Sequence, residues 1–200
     1  MEKFYLEIPS LEKKKEALEY MKEFLEAKSI LHGSSGLERC AKDMSYEEWL
    51  DDVINSMDEE YAKGLGRVPA STYFMVREED NKIVGIVNIR HYLDNFLKNV
   101  GGHIGGSIRP TERGKGYSKI QLYLCLLECK KLGLDEVMID CEKTNIKSER
   151  AIKSIGGVFE REFYYQPKKQ VLRNYNVNVE EAINKFKDTC GKQVLKKKRK

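Results

Sequence analysis

A glycine-rich turn between two apolar segments constrains this chain most. The turn reads RGKGYS over residues 113–118, after a predicted strand at 102–109 and before a predicted helix at 115–132. A helix that begins at such a turn leaves backbone N–H groups unpaired, and its dipole adds partial positive charge there. Arg113 and Lys115 add full positive charges. The turn therefore predicts a site for a phosphate-bearing ligand.

The composition predicts a single soluble domain. The chain has 200 residues, of which 40% are hydrophobic and 34% are charged. No run of 18 apolar residues is present, so no membrane span is expected. The first ten residues, MEKFYLEIPS, lack the basic and then apolar pattern of a signal peptide. We therefore expect a cytoplasmic protein.

The charge is concentrated at the carboxyl end. The net charge is +4, and the last five residues, KKKRK, carry five positive charges, so the remainder is near -1. A broad basic face, which is typical of nucleic-acid-binding domains, is therefore not expected. We interpret the basic end as a solvated tail, with a nucleic-acid contact as the alternative.

The cysteines and histidines do not predict a metal site. Cysteines stand at positions 40, 125, 129, 141 and 190, and no pair has C-x-x-C spacing. Buried thiols in a reducing compartment are the interpretation that we favour. The three histidines, at positions 32, 91 and 103, do not have the spacing of metal ligands either.

Apolar periodicity and turn residues predict an α+β fold with a mixed sheet. Strands are expected over 3–8, 72–77, 82–92, 102–109, 136–141, 158–165 and 170–175, and helices over 11–27, 45–57, 115–132, 145–155 and 179–187. The strand–helix–strand unit around 115–132 requires a parallel pair beside antiparallel ones. We expect one domain over 1–178, followed by a helix and the flexible tail over 179–200.

Two common phosphate loops do not fit the turn. A Walker A loop would need Gly where Arg109 stands and Ser or Thr where Gly116 stands. A dinucleotide-binding loop would need a third Gly where Lys119 stands. A nucleotide-hydrolysing function is therefore disfavoured.

A third pattern fits better. The segment from Arg113 to Ser118 resembles the Q/R-x-x-G-x-G/A loop of the GNAT superfamily of acyl-CoA-dependent N-acyltransferases, with Ser118 in place of the final Gly or Ala. Members typically carry an Asn at the start of the next helix, a small residue at +3 and a Gly at +11. Asn145, Ser148 and Gly156 have this spacing.

The resemblance implies a fold and a co-substrate. It implies a central sheet of six or seven strands, mostly antiparallel, with four or five helices and a splayed parallel pair where acetyl-CoA binds. The residues implied for that site are Ser107, Ile108, Arg109, Arg113, Gly114, Lys115, Gly116, Tyr117, Ser118, Asn145 and Ser148. The amide of Asn145 would bind the pantetheine arm. The backbone of 107–109 would supply a donor to the thioester oxygen.

The resemblance also implies direct attack by an amine, without a covalent enzyme intermediate or a metal. His103 stands on the strand where many relatives have a Glu that acts as base, and a hydrogen-bonded structural histidine is the alternative. Many relatives place a Tyr acid where this chain has Ile152. Tyr164 is our candidate replacement, with Ser148 and Tyr165 as others.

The resulting hypothesis is an N-acetyltransferase that uses acetyl-CoA and an amine acceptor from a small molecule or a protein. Because the usual Tyr is absent, a non-catalytic acyl-CoA-binding relative is the first alternative. The sequence does not identify the acceptor. We expect a monomer or a homodimer.

Overall fold

The computed structural model describes residues 1–195. Its strands are β1 (Phe4–Glu7), β2 (Ala70–Arg77), β3 (Lys82–Arg90), β4 (Ile104–Ile108), β5 (Glu136–Glu142), β6 (Val158–Tyr165) and β7 (Gln170–Asn178). Its α-helices are α1 (Lys14–Glu26), α2 (Tyr46–Asn55), α3 (Glu59–Gly64), α4 (Tyr117–Lys131), α5 (Ile146–Ser154) and α6 (Val179–Phe186). The predicted α+β class and the strand count are confirmed.

One helix was missed by the sequence prediction. Helix α3 begins just after the predicted end of the 45–57 helix, in a segment for which we predicted no helix. The side chain of Asp58 caps it by accepting a hydrogen bond from the N–H of Tyr61. At six residues this helix is too short for a clear apolar period.

The strands form two antiparallel sheets. The first has the order β1-β2-β3-β4 and the second the order β5-β7-β6. Between them, the N–H of His103 donates to the carbonyl of Met138 over 2.7 Å. Beyond that bond, β4 and β5 share no ladder within residues 1–195. The predicted splay therefore divides the sheet into two parts at β4 and β5.

Helix α4 covers one face of both sheets. Leu126 and Cys129 are buried in a core that also contains Val137 of β5 and Tyr175 of β7. The same helix contacts α5 and α6 on its outer side. Because α4 is apolar around much of its circumference, it lies inside the fold.

The other face of the first sheet is covered by α1, α2 and the segment that joins them. Tyr20 of α1 and Trp49 of α2 are fully buried there. In the joining segment, Gly33 lies so close to β4 that an added Cβ would stand 2.2 Å from the carbonyl oxygen of Gly105. Glycine is required at this position by contact and by its φ of +71°.

The carboxyl end of the described chain packs against the same body. Ala182 and Ile183 of α6 are buried in the core beside α4. Val194 forms a bridge to Phe4 of β1. The helix that we expected to follow the domain is thus part of its core, and the predicted flexible tail over 196–200 lies outside the described residues.

Candidate functional site

The glycine-rich turn forms an open surface at the start of α4. Gly114 and Gly116 have φ values of +83° and +81°, and no heavy atom of residues 1–195 lies within 4 Å of a Cβ built on either. Gly116 is the N-cap residue of α4, and no side chain in the described part of the chain caps the helix. The backbone N–H groups of the first turn are therefore available to an anion. This geometry fits a pyrophosphate group.

A buried carboxylate lies beside the turn and forms ion pairs with nearby basic side chains. Glu112, whose side chain is 4% exposed, accepts hydrogen bonds from Lys115, Lys82 and Arg77 at 2.8–3.0 Å. Burial acts to raise the pKa of Glu112, but these three cations lower it to about 2. Lys115 is therefore paired with a protein carboxylate, and its contribution to a phosphate site is smaller than its charge suggests.

Arg113 is also engaged by the protein. Its guanidinium donates to the carbonyl of Ile108 over 3.1 Å and to the hydroxyl of Ser29 over 2.8 Å. The same group lies 5.2 Å from the centroid of the Phe24 ring. Arg113 thus ties the turn to the end of α1, and its side chain remains exposed to solvent.

Tyr117 and Ser118 differ in how far their side chains are exposed to a ligand. The side chain of Tyr117 is buried: its ring lies 4.7 Å from that of Phe4, and its hydroxyl donates to Glu2 over 2.7 Å. Only the backbone of Tyr117 remains for a ligand. Ser118, in the first turn of α4, is exposed to solvent.

Asn145 and Ser148 stand at the start of the next helix. The Asn145 Oδ1 accepts from the N–H of Ser148 over 3.1 Å, which makes Asn145 the N-cap of α5. Its Nδ2 donates to no group within residues 1–195, and the residue is exposed. A cap and a ligand-binding amide are therefore compatible here, because the cap uses only the oxygen.

The backbone of β4 alternates between its partner strand and the splay. The N–H of Arg109 donates to the carbonyl of Val84 over 2.9 Å, so the residues that exchange hydrogen bonds with β3 are every second residue back from Arg109, which includes Ser107. In an antiparallel ladder the N–H and carbonyl groups of the intervening residues point away from the partner strand. Ile108 is such a residue, and its carbonyl accepts from Arg113 on that side. Of the three residues expected to supply a donor, the geometry thus favours Ile108.

The Arg109 side chain has a structural role. It donates to Glu16 and Glu23 of α1 over 2.6 Å each, and to the carbonyl of Ile83 over 3.1 Å. Glu23 also accepts from the N–H of Thr111 over 2.7 Å. The guanidinium is 8% exposed, so it fixes α1 to the end of β4 and does not face a ligand.

His103 lies where β4 and β5 meet. Its Nδ1 accepts from the N–H of Met138 over 3.0 Å. The neutral ring must then carry its proton on Nε2, which leaves no free lone pair for a base. Burial, followed by the nearby Arg90, lowers the pKa of His103, so the ring is neutral near pH 7. These contacts favour the structural interpretation over the catalytic one.

Tyr164 lies on the edge strand β6, opposite Val171, and is exposed. By the alternation of the strand it shares a face with Glu162, which pairs with Arg173. Its hydroxyl has no hydrogen bond within residues 1–195. Nothing in this arrangement directs Tyr164 toward the splay.

Four of the five cysteines are buried thiols, as expected from the sequence, and Cys40 is only partly buried. Cys125, Cys129, Cys141 and Cys190 are buried, and burial raises the pKa of Cys129 to about 12 and that of Cys141 to about 11. Among the described residues, no three His, Cys, Asp or Glu side chains are grouped to hold a metal ion. In the same part of the chain, no helix has the length and hydropathy that crossing a membrane requires.

The family follows from the sequence as a whole. The family model of the acetyltransferase (GNAT) domain matches residues 13–158. The chain belongs to this family. The matched region includes the glycine-rich turn, both splayed strands and the start of α5, so the prediction of a GNAT acyltransferase is confirmed. A search of curated proteins finds no significant match.

Solved structures share the GNAT fold at low sequence identity. The microcin C7 self-immunity acetyltransferase MccE, solved with acetyl-CoA and AMP, has 17% identity and a TM-score of 0.61, over 88% of this chain and 92% of that one. A spermidine N-acetyltransferase SpeG chimera from Vibrio cholerae and hSSAT has 14% identity and a TM-score of 0.58, over 91% and 99%. A GNAT-family acetyltransferase from Bacillus anthracis has 16% identity and a TM-score of 0.56, over 90% and 99%.

The GNAT assignment makes Ile152 notable. This residue of α5 is 1% exposed and lies in the core against α4 and β5. Gly157 packs so closely on it that an added Cβ would stand 2.5 Å from the Ile152 side chain. The position where many relatives place a Tyr acid is therefore filled by a packed aliphatic group.

One residue at the splay was missed by the sequence prediction. In the segment between α1 and α2, the backbone N–H of His32 donates to the Ser107 hydroxyl of β4, and this hydroxyl donates to the His32 carbonyl. The sequence offers one signal, since Gly33 beside it predicts a tight backbone. The partner, however, is 75 residues away along the chain.

Proposed function

We propose that this chain is an N-acetyltransferase that transfers the acetyl group of acetyl-CoA to a primary amine by direct attack. The observation that carries the proposal is the open turn over 113–118 at the uncapped start of α4. It stands at the end of β4, where the sheet divides, and the second exposed helix start, at Asn145, follows β5. Few ligands other than an acyl-CoA need both an anion site and a divided sheet.

Different residues bind different parts of acetyl-CoA. The N–H groups of 116–118 bind the pyrophosphate, with Lys115 and Arg113 as nearby charges. The free amide N–H of Asn145 donates to the pantetheine arm. The N–H of Ile108, which faces away from β3, donates to the thioester oxygen, where negative charge develops during attack.

Acetyl-CoA supplies an acyl group on a thiolate leaving group, so the protein need not provide a nucleophile. The raised pKa values of Cys129 and Cys141 support this division, because both thiols stay protonated near neutral pH. The protein must still take a proton from the amine, since a primary alkyl amine has a pKa of about 10.4 and arrives charged.

Two measurements on the full chain test the proposal. Calorimetry with acetyl-CoA measures binding, and release of free thiol from acetyl-CoA in the presence of an amine panel measures transfer. The panel includes spermidine, the substrate named for one structure of the same fold. We expect binding and amine-dependent release. Binding without release for any amine would favour the non-catalytic relative, and no binding at all would refute the proposal.

A further inference from the structure

His32 is held in place by hydrogen bonds of its backbone, while its side chain makes none within residues 1–195. The hydroxyl of Ser107 accepts from the His32 N–H over 2.8 Å and donates to the His32 carbonyl over 2.8 Å. The adjacent Gly33 lies in van der Waals contact with the β4 backbone at Gly105. The Cα of His32 is thus fixed over the middle of β4, beside the splay.

The ring nitrogens of His32 are free. Within residues 1–195, neither accepts nor donates a hydrogen bond, and the residue is exposed. The other two histidines differ: His103 Nδ1 accepts from Met138, and His91 Nε2 bonds to the Ser71 hydroxyl over 2.8 Å. Of the three, His32 therefore presents an unoccupied lone pair to solvent.

Charges from three elements surround this ring. Asp140 and Glu142 act on it from β5, Glu38 from its own segment, and Lys168 from the turn between β6 and β7. Partial burial of the ring, and then Lys168, lower the pKa of His32, while Glu142, Asp140 and Glu38 act to raise it. The surroundings thus hold three negative charges and one positive charge, which favours a cationic ligand.

We propose that His32 is the general base that takes a proton from the acceptor ammonium in this acetyl transfer. The inference rests on the function proposed above. His32 lies on the face of β4 that Ser107 occupies, and the donor assigned to the thioester oxygen, the N–H of Ile108, comes from the next residue. Base and donor are therefore positioned by adjacent residues of one strand.

With His32 as the base, each of the three protons of the acceptor ammonium has a destination. His32 takes one of the three protons of the ammonium and later returns it to water. The nitrogen lone pair forms the C–N bond to the thioester carbon as the C–S bond breaks. A second proton passes from nitrogen to the departing sulfur, and the third stays on the amide. No oxidant or further reactant is required.

The decisive experiment compares His32→Gln with His91→Gln, a matched control whose ring is bonded to Ser71. Each variant is assayed for acetyl-CoA affinity by calorimetry and for turnover of the best amine between pH 5 and 9. We expect His32→Gln to keep its affinity and lose roughly 10²–10⁴-fold in kcat, with partial rescue by added imidazole. The control should keep its turnover. If His32→Gln lost acetyl-CoA affinity as strongly as it lost turnover, the proposal would be overturned and the role of His32 would be structural.

Two variants that retain His32 provide a second test. Lys168→Gln removes the opposing positive charge, so the acid limb of the rate profile should move to higher pH. Glu142→Gln removes a negative charge, so the acid limb should move to lower pH. The ring pKa of His32, measured by NMR in the protein without acetyl-CoA, should move in the same two directions.

The outcomes separate this inference from the proposed function. If the wild-type chain acetylates no amine, the proposed function fails and the role of His32 fails with it. If transfer occurs but the acid limb stays unchanged in both charge variants while the NMR pKa moves, another group is the base and only this inference fails. If the limb and the NMR pKa move together, His32 is the base.

Discussion

The Ser107 hydroxyl bridges the backbone N–H and the carbonyl of His32, with both hydrogen bonds at 2.8 Å. One side chain of β4 thereby satisfies two backbone groups of the segment between α1 and α2. Since such backbone groups are costly to leave unpaired when they are taken from water, the bridge sets the position of that segment. The segment that carries His32 is thus fixed beside β4 by Ser107, a residue that we predicted to contact acetyl-CoA.

Replacing Ser107 by Ala should release this segment. We expect the amide of His32 to exchange faster with solvent, because its acceptor is gone, and turnover to fall while acetyl-CoA affinity changes little. Hydrogen exchange resolved by NMR measures the first effect. The amide of Gly36, whose acceptor is the Ser34 hydroxyl, is the internal control. Unchanged protection at His32 would contradict this assignment.

A carboxylate on the glycine-rich turn should abolish acetyl-CoA binding. Gly116→Glu places a negative charge at the uncapped start of α4 and strains a residue with φ of +81°. Gly133→Glu is the matched control, since Gly133 follows the same helix with φ of +75° and equally open space. Both should lose about 1 kcal/mol of stability. Calorimetry should show lost affinity only for the first, and equal affinities would refute the site.

The ion pairs of Arg109 should contribute far more to stability than an exposed pair. Arg109→Met leaves Glu16 and Glu23 without their partner beside the core, which typically costs about 3–5 kcal/mol. Arg67→Met removes an exposed pair with Asp52 and should cost at most about 1 kcal/mol. Urea unfolding of the two variants measures the difference. Similar losses would show that Arg109 is solvated in solution.

The buried Glu112 should make stability sensitive to acid. Its pKa is lowered from 4.5 to about 2, so its contribution is complete above about pH 4.5 and is lost as the pH falls toward 2. Glu112→Gln should cost about 2 kcal/mol at pH 7. The difference in unfolding free energy between wild type and variant should shrink as the pH approaches 2. A constant difference would mean that the carboxylate is not stabilised by its cations.

Restoring the Tyr of other GNAT proteins should fail. Ile152→Tyr inserts a larger, polar side chain into a packed core position against Gly157, and we expect a loss of about 1–3 kcal/mol or more. Turnover should not rise. Ile152→Val, which fits the same space, should cost about 1 kcal/mol and serves as the control. An active and stable tyrosine variant would show that the core can open here.

Local sequence patterns predicted the helices and strands well. They did not predict which residues contact one another across the fold. The spacing of Gly114, Gly116 and Asn145 was sufficient to place two helix starts and to indicate the family. The roles of Lys115 and Arg109 were less accessible, because Glu112 and Glu23 engage them, and these pairings depend on how β4 packs on α1. His32 was unremarkable in the sequence because its significance comes from Ser107 and from charges on β5.

The support of the turn by Glu112 has a consequence for how ionic strength acts on binding. Lys115 is already paired with Glu112, which weakens its attraction for a phosphate, whereas Arg113 is bonded to the neutral groups of Ser29 and Ile108 and keeps its full charge. Dissolved salt screens both this charge and the dipole at the start of α4. The affinity of this chain for a phosphorylated ligand should therefore fall as the salt concentration rises, but less steeply than that of a surface with several unpaired lysines.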